Sequence, residues 1–199
     1  MIALIDYGAG NLTSVKKALA AAGADVRVPG QPDEVASAHG VVIPGVGHFG
    51  TTRALQGEWM DAILAVLGDG RPLLGICLGM QFLFEGSDEA PECPGLGLLA
   101  GRCHRLQARD GIKIPHVGWN ALAIQRQSPI VESIADGSHV YFTHSYVAPV
   151  TSDTIAVAEH GEPFAAVVEH GQVSGVQFHP EKSGDAGLQI LRNFVALAG

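Results

Sequence analysis

The sequence predicts an α/β protein: an open, mainly parallel sheet with helices on both faces, extended by antiparallel strands. Three features carry this reading. In the first half, short continuous apolar runs alternate with helical stretches, the pattern of strands covered on both sides. Beyond residue 96, strand-like runs dominate and helical pieces become few. The 26 glycines often sit at the ends of apolar runs, where tight turns and ligand-facing loops belong.

Taken in order, residues 2–6 read as a buried strand. The turn Tyr7-Gly8-Ala9-Gly10-Asn11 follows, with Asn11 placed to cap a helix over 12–22 that Gly23 ends. A strand over 25–28, a short helix over 33–38 and an apolar strand over 40–43 come next. Residues 51–67 read as a helix, 72–76 as a strand and 80–85 as a helix. In the second half, 96–106, 112–124, 139–147, 154–159, 164–169 and 173–178 read mostly as strands. Helical pieces are expected at 129–134 and 187–197. No repeat, low-complexity tract or linker divides the chain, so residues 1–199 are expected to form a single domain.

With 47% hydrophobic and 16% charged residues, the chain can bury a large core and carries too few charges for disorder. A formal net charge of −8 argues against nucleic acid as the main partner, though not against a basic protein. The three cysteines, Cys77, Cys93 and Cys103, are odd in number and lack a CxxC pair, which points to a reducing compartment. Met1 leads directly into an apolar strand, with no signal-peptide pattern and no bilayer-length apolar run, so the expected location is the cytoplasm and no membrane association is expected.

Gly75-Ile76-Cys77-Leu78-Gly79-Met80-Gln81 joins a strand to a helix. A nucleophile at such a bend forms a nucleophile elbow, here with a thiol. Flanking glycines permit the strained turn, and the helix N-terminus favours a thiolate. Cys93 and Cys103 lack that setting and read as ordinary cysteines. The partner base is sought in Gln177-Phe178-His179-Pro180-Glu181, where residues two apart in an extended segment point the same way. Cys77, His179 and Glu181 would then act as nucleophile, base and orienting acid. Most of the nine histidines read as incidental, and no close His/Cys ligand set suggests a metal.

Pro44-Gly45-Val46-Gly47 follows the strand over 40–43 and lacks the ending of a Walker loop. Read alone it is a glycine-rich turn. Read with the elbow, the Val46–Gly47 peptide and the Leu78 N–H could form an oxyanion hole. The segments at 7–11 and 44–49, with Cys77 and His179, fall at strand carboxyl ends, where such sheets gather ligands.

The elbow pattern Gly-x-Cys-x-Gly-x-Gln and the His-Pro-Glu sequence together resemble the class I glutamine amidotransferases. The segments at 5–12, 44–47, 115–120 and 141–146 resemble one branch of that family, the glutaminase subunits of imidazole glycerol phosphate synthases. This resemblance implies hydrolysis of glutamine through a Cys77 thioester, with the ammonia passing to a separate cyclase subunit. That partner would make imidazole glycerol phosphate and AICAR in histidine biosynthesis. No cofactor is implied. By motif position, Gln81, Glu89, Ser145 and Tyr146 would hold the substrate, Glu89 matching its ammonium. Trp119 and Tyr141, which core packing would otherwise explain, are placed near the subunit interface, with Asn120 and the possible helix cap Asn11. Two alternatives remain: a glutaminase serving another synthase, and a non-catalytic scaffold of the same fold.

Overall fold

Apolar strands without a polar face must be covered on both sides, and this chain does so around one eight-stranded sheet. The computed structural model describes residues 1–108 and 111–199. In chain order the strands are β1 (Ile2–Leu4), β2 (Val26–Arg27), β3 (Gly40–Ile43), β4 (Leu73–Ile76), β5 (Gly86–Ser87), β6 (Arg102–Arg105) and β7 (His116–Ala121). They continue with β8 (Ala123–Ile124), β9 (His139–His144), β10 (Tyr146–Val147), β11 (Thr154–Glu159), β12 (Pro163–His170) and β13 (Val173–Val176). The α-helices are α1 (Leu12–Ala21), α2 (Glu58–Gly68), α3 (Leu78–Leu83) and α4 (Gly184–Leu197).

The main sheet runs β2-β1-β3-β4-β13-β12-β11-β8. Pairing is parallel from β2 to β13 and antiparallel from β13 to β8, as the sequence predicts. Strand alternation divides the core between the two faces. Leu4, Val42, Leu74 and Ile76 join Val15 and Leu19 of α1 and Ile190, Leu191 and Phe194 of α4. Ala3, Val41, Ile43 and Leu73 join Ile63 and Val66 of α2 and Leu78, Met80 and Phe82 of α3. Two smaller sheets, β10-β6-β5 and β7-β9, flank the carboxyl edge.

Several expected elements are shorter or broken, each for a local reason. The helix expected over 51–67 divides into a 3-10 turn, Phe49–Leu55, and α2, because Gly57 takes φ +73° between them. The strand expected over 96–106 shrinks to β6. The amides of Leu96, Leu98 and Leu99 instead donate to the carbonyls of Phe82 and Leu83, closing the end of α3. The run over 139–147 breaks at Ser145, since β9 pairs with β7 and β10 with β6. The short helices expected at 33–38 and 129–134 are 3-10 turns, Pro32–Ser37 and Pro129–Val131.

Helix α3 lies so close to β3 that a Cβ on Gly79 would overlap the Ile43 carbonyl oxygen, while one on Gly75 would come within 2.6 Å of Gly79 O. We expect Gly79→Ala to lower stability by ~1–3 kcal/mol, the usual cost of forcing atoms into packed space. A urea midpoint equal to that of the unaltered chain would show that α3 can shift without penalty.

Candidate active site

Strand register assembles the site. β4 and β13 run side by side with Gly75 opposite Gly175 and Ile76 opposite Val176. The next residues therefore leave the sheet together, and Cys77 N donates to Val176 O at 2.8 Å. On the other flank Ile43 stands opposite Gly75, so Pro44 and Gly45 emerge beside the same bend. Cys77 has φ +52° and ψ −106°, a conformation that non-glycine residues seldom adopt. Such strain costs on the order of 1–3 kcal/mol and is held by the surrounding structure. The residue is 4% exposed and lines a cavity of about 230 Å³, a space suited to one small metabolite.

His179 follows β13, pinned by its own N–H to Tyr141 O at 2.9 Å and by Ser183 Oγ donating to its carbonyl at 2.6 Å. Its Nδ1 donates to Glu181 Oε1 at 2.9 Å, and both side chains are 2% exposed. The pair meets by a different route from the one expected. Residues 179–181 are not an extended run. A 3-10 turn, Pro180–Lys182, with His179 at its N-terminal cap, folds the carboxylate back onto the ring. Burial pulls the His179 pKa down. Hydrogen bonding to Cys77 and Glu181 and their negative charge outweigh it and push the value up to about 10. The ring's Nε2 is buried with no hydrogen-bond partner of regular geometry among the described residues, and Cys77 is the neighbour that acts on the ring from outside its own loop. The site therefore suits a protonated imidazole beside the sulfur, placed to pass a proton during attack.

The cavity wall gathers Gln81, Glu89, Ser145 and Tyr146 with Val46, Gly47 and Leu78. Gln81 Nε2 donates to Tyr146 O at 2.9 Å and to Gln177 Oε1 at 3.1 Å. Glu89 Oε2 accepts from Phe49 N at 2.7 Å, which fixes the carboxylate in the wall. The Leu78 N–H is turned to Gly45 O at 3.4 Å, and Gly47 sits at φ +99°. Pro115, Thr143 and His144 also line the cavity, and sequence reasoning missed them. Tyr7, in the 7–11 segment expected at the site but given no role there, donates to Pro44 O at 2.8 Å. Burial and then the Cys77 charge raise its pKa, so it remains a neutral donor. Cys93 and Cys103 are buried, and burial followed by Asp88 pushes the Cys103 thiol up, out of reactive range.

His144 belongs to a directed chain. Asn120 Oδ1 accepts from Ala121 N at 2.8 Å, so its nitrogen faces Glu159 O at 2.8 Å and His116 Nε2 at 3.3 Å. His116 must then carry hydrogen on Nδ1 and donate to His144 Nε2 at 3.1 Å. His144 Nδ1 in turn donates to Tyr146 O at 3.0 Å. Burial, and then His160, lower His116 to about 4. Burial, and then His116, lower His144 to about 3. The unfolded chain takes up protons near pH 6.5 that these rings refuse, so their contribution to stability is present above that pH and declines as pH falls toward about 4. Urea midpoints should drop from about pH 7 to about pH 5, and His144→Gln should flatten the slope. An unchanged slope would mean that His144 is not held neutral.

The four remaining residues lie away from the cavity. Asn11 caps α1, its Oδ1 accepting from Ser14 N at 3.3 Å. Trp119 is 57% exposed and meets Tyr141 edge-on at 6.1 Å, with Val117 beside it on the outer face of β7. Lys182 Nζ lies 5.7 Å from the Tyr141 ring centre. The Asn120 side chain turns the opposite way, into the histidine chain. Among the described residues no helix is long and apolar enough to cross a membrane, and no group of three or more His, Cys, Asp or Glu could hold a metal ion.

The sequence pattern described as glutamine amidotransferase class-I matches residues 3–198. Imidazole glycerol phosphate synthase subunit HisH of Gloeobacter violaceus is 50% identical, over 99% of this chain and 89% of its own. The subunit of the same name from Natronomonas pharaonis is 47% identical, over 98% and 93%. That of Methanosarcina acetivorans is 44% identical, over 98% of both chains. Among solved structures, a glutamine amidotransferase superposes with a TM-score of 0.76 at 20% identity over 100% of both chains. PurLQS from Thermotoga maritima does so with a TM-score of 0.76 at 18% identity, over 98% and 97%.

Proposed function

The chain belongs to the class I glutamine amidotransferase family, and from that premise we propose how its residues perform the reaction. It is the glutaminase subunit of an imidazole glycerol phosphate synthase, supported by near full-length identity to the HisH subunits. Residues 1–199 act as one glutaminase domain. The Cys77 sulfur attacks the side-chain carbonyl carbon of glutamine. Negative charge moves to the carbonyl oxygen, for which Leu78 N–H and the Val46–Gly47 peptide are the donors at hand. His179, oriented by Glu181, protonates the departing nitrogen, and ammonia leaves a γ-glutamyl thioester. A water then gives its proton to His179 and its oxygen to the carbonyl carbon. Glutamate leaves and the sulfur is regenerated. Gln81, Glu89, Ser145 and Tyr146 bind the substrate, with Glu89 set for its ammonium.

The observation that carries this reading is the His179–Glu181 contact of 2.9 Å, made in the turn just past the strand that pairs in register with the elbow strand. The ammonia goes to a cyclase subunit, which docks on the outward face of Trp119, Val117 and Tyr141 and near Asn11. The pair works in the cytoplasm. Mixing the chain with a cyclase, glutamine and the phosphoribulosyl aminoimidazole-carboxamide ribotide should yield imidazole glycerol phosphate and AICAR. Glutamine-dependent product with another class of synthase, and none with the cyclase, would overturn the assignment.

A further inference from the structure

We propose that Gln177 is a further catalytic residue, whose side-chain N–H holds the Cys77 sulfur anion in position for attack. The proposal rests on the glutaminase reading above and adds a residue to it.

Gln177 is the first residue past β13, where the parallel register puts it beside Cys77. It is 0% exposed, and its backbone N–H is fixed to Ala166 O at 2.9 Å. Its Nε2 lies 3.6 Å from Cys77 Sγ. Among the described residues it is the side-chain hydrogen bond of regular geometry to that sulfur, beside the His179 ring. Which end of the amide faces sulfur is decided by neighbours. A backbone carbonyl only accepts, so Tyr146 O requires the nitrogen of Gln81 at 2.9 Å. That same nitrogen sits 3.1 Å from Gln177, so Gln177 must present its oxygen there. Its NH₂ group is left facing Cys77. His144 donating to the same Tyr146 oxygen at 3.0 Å holds that carbonyl in place.

A buried amide N–H needs an acceptor, because leaving it bare costs free energy on the order of 1–3 kcal/mol. A neutral thiol is a weak acceptor, whereas hydrogen bonds to ionised acceptors are about twice as strong as neutral ones. Gln177 thus favours the anion, and it fixes the sulfur from the end of the neighbouring strand. Gln81 acts through it as a positioning residue, besides its place in the cavity.

The test is the pH profile of Cys77 alkylation by iodoacetamide in the whole chain, with the modified site read by mass spectrometry. It needs neither glutamine nor a partner. Gln177→Met keeps the bulk and removes the donor. Gln177→Glu keeps the acceptor for Gln81 and turns a carboxylate oxygen toward the sulfur. We expect the Met variant to react about tenfold more slowly at neutral pH, the size of a one-unit displacement of the profile, and the Glu variant more slowly still. In the complex with the cyclase, kcat for glutamine should fall while KM changes little. The Gln177 side-chain amide proton signals of the unaltered chain should also move when Cys77 ionises, which needs no variant. Superimposable alkylation profiles in variants that keep their urea midpoints, or amide signals indifferent to Cys77, would overturn the proposal. Normal alkylation behaviour with no glutamine turnover in any complex would instead sink the glutaminase reading and leave the sulfur contact standing.

Discussion

Cys77→Ala should leave a folded chain that releases no ammonia from glutamine, with turnover lower by ~10⁶, the loss seen when the nucleophile of a triad is removed. The size follows from chemistry with no substitute. Neither Cys93 nor Cys103 is among the residues that line the cavity with Cys77, so neither thiol can take over. Water attacking directly would lack both the covalent intermediate and an aligned sulfur. The fold should survive because the strained bend at φ +52° is imposed by α3 and by the register of β4 with β13, not by the sulfur. Mass spectrometry of the unaltered chain quenched during turnover should find a γ-glutamyl adduct on Cys77, and the variant should show none. In a complex with the cyclase, the variant should still support synthesis from added ammonium salt. Glutamine-derived ammonia at undiminished rate would remove Cys77 from the mechanism.

The second large effect is dependence on the partner. In the resting chain the Leu78 N–H is turned to Gly45 O at 3.4 Å, so one of the two expected oxyanion donors is already engaged. Val46 is 39% exposed and Gly47 sits at φ +99°, so this peptide has both the room and the glycine needed to rotate. Losing a single oxyanion donor costs ~10²–10³ in kcat elsewhere. We therefore expect the isolated chain to hydrolyse glutamine slowly, and the cyclase with its ligand bound to raise kcat by at least ~10²-fold. Ammonia release measured with and without partner decides it. Full activity in the isolated chain would mean that the donors are already in place.

Much of this was legible in local pattern. Apolar runs of strand length, glycines on both sides of Cys77 and the turn after residue 6 predict the parallel core, the elbow and the Asn11 cap. Each depends on backbone sterics or side-chain periodicity within about ten residues. Other features had no local signal. The segment after Leu96 has strand-like composition, yet its amides donate to the last carbonyls of α3 instead of to a neighbouring strand. The fold back of Glu181 onto His179 is a 3-10 turn where alternation predicts an extended run. The resemblance groups Asn120 with Trp119 at the interface, but neighbours on a strand point to opposite faces, and the Asn120 side chain meets Glu159 O and His116 instead.

Sequence alone determined the kind of chemistry, since a thiol at a strand-to-helix bend and a His-Pro-Glu segment are written in contiguous residues. Only the tertiary structure decided which atoms meet: Gln177 beside Cys77, the Leu78 N–H on Gly45, and the single direction of every hydrogen bond from Asn120 to Tyr146. Those contacts join residues far apart in the chain, and long-range strand register and shared carbonyl acceptors select them, leaving no periodic trace along the sequence.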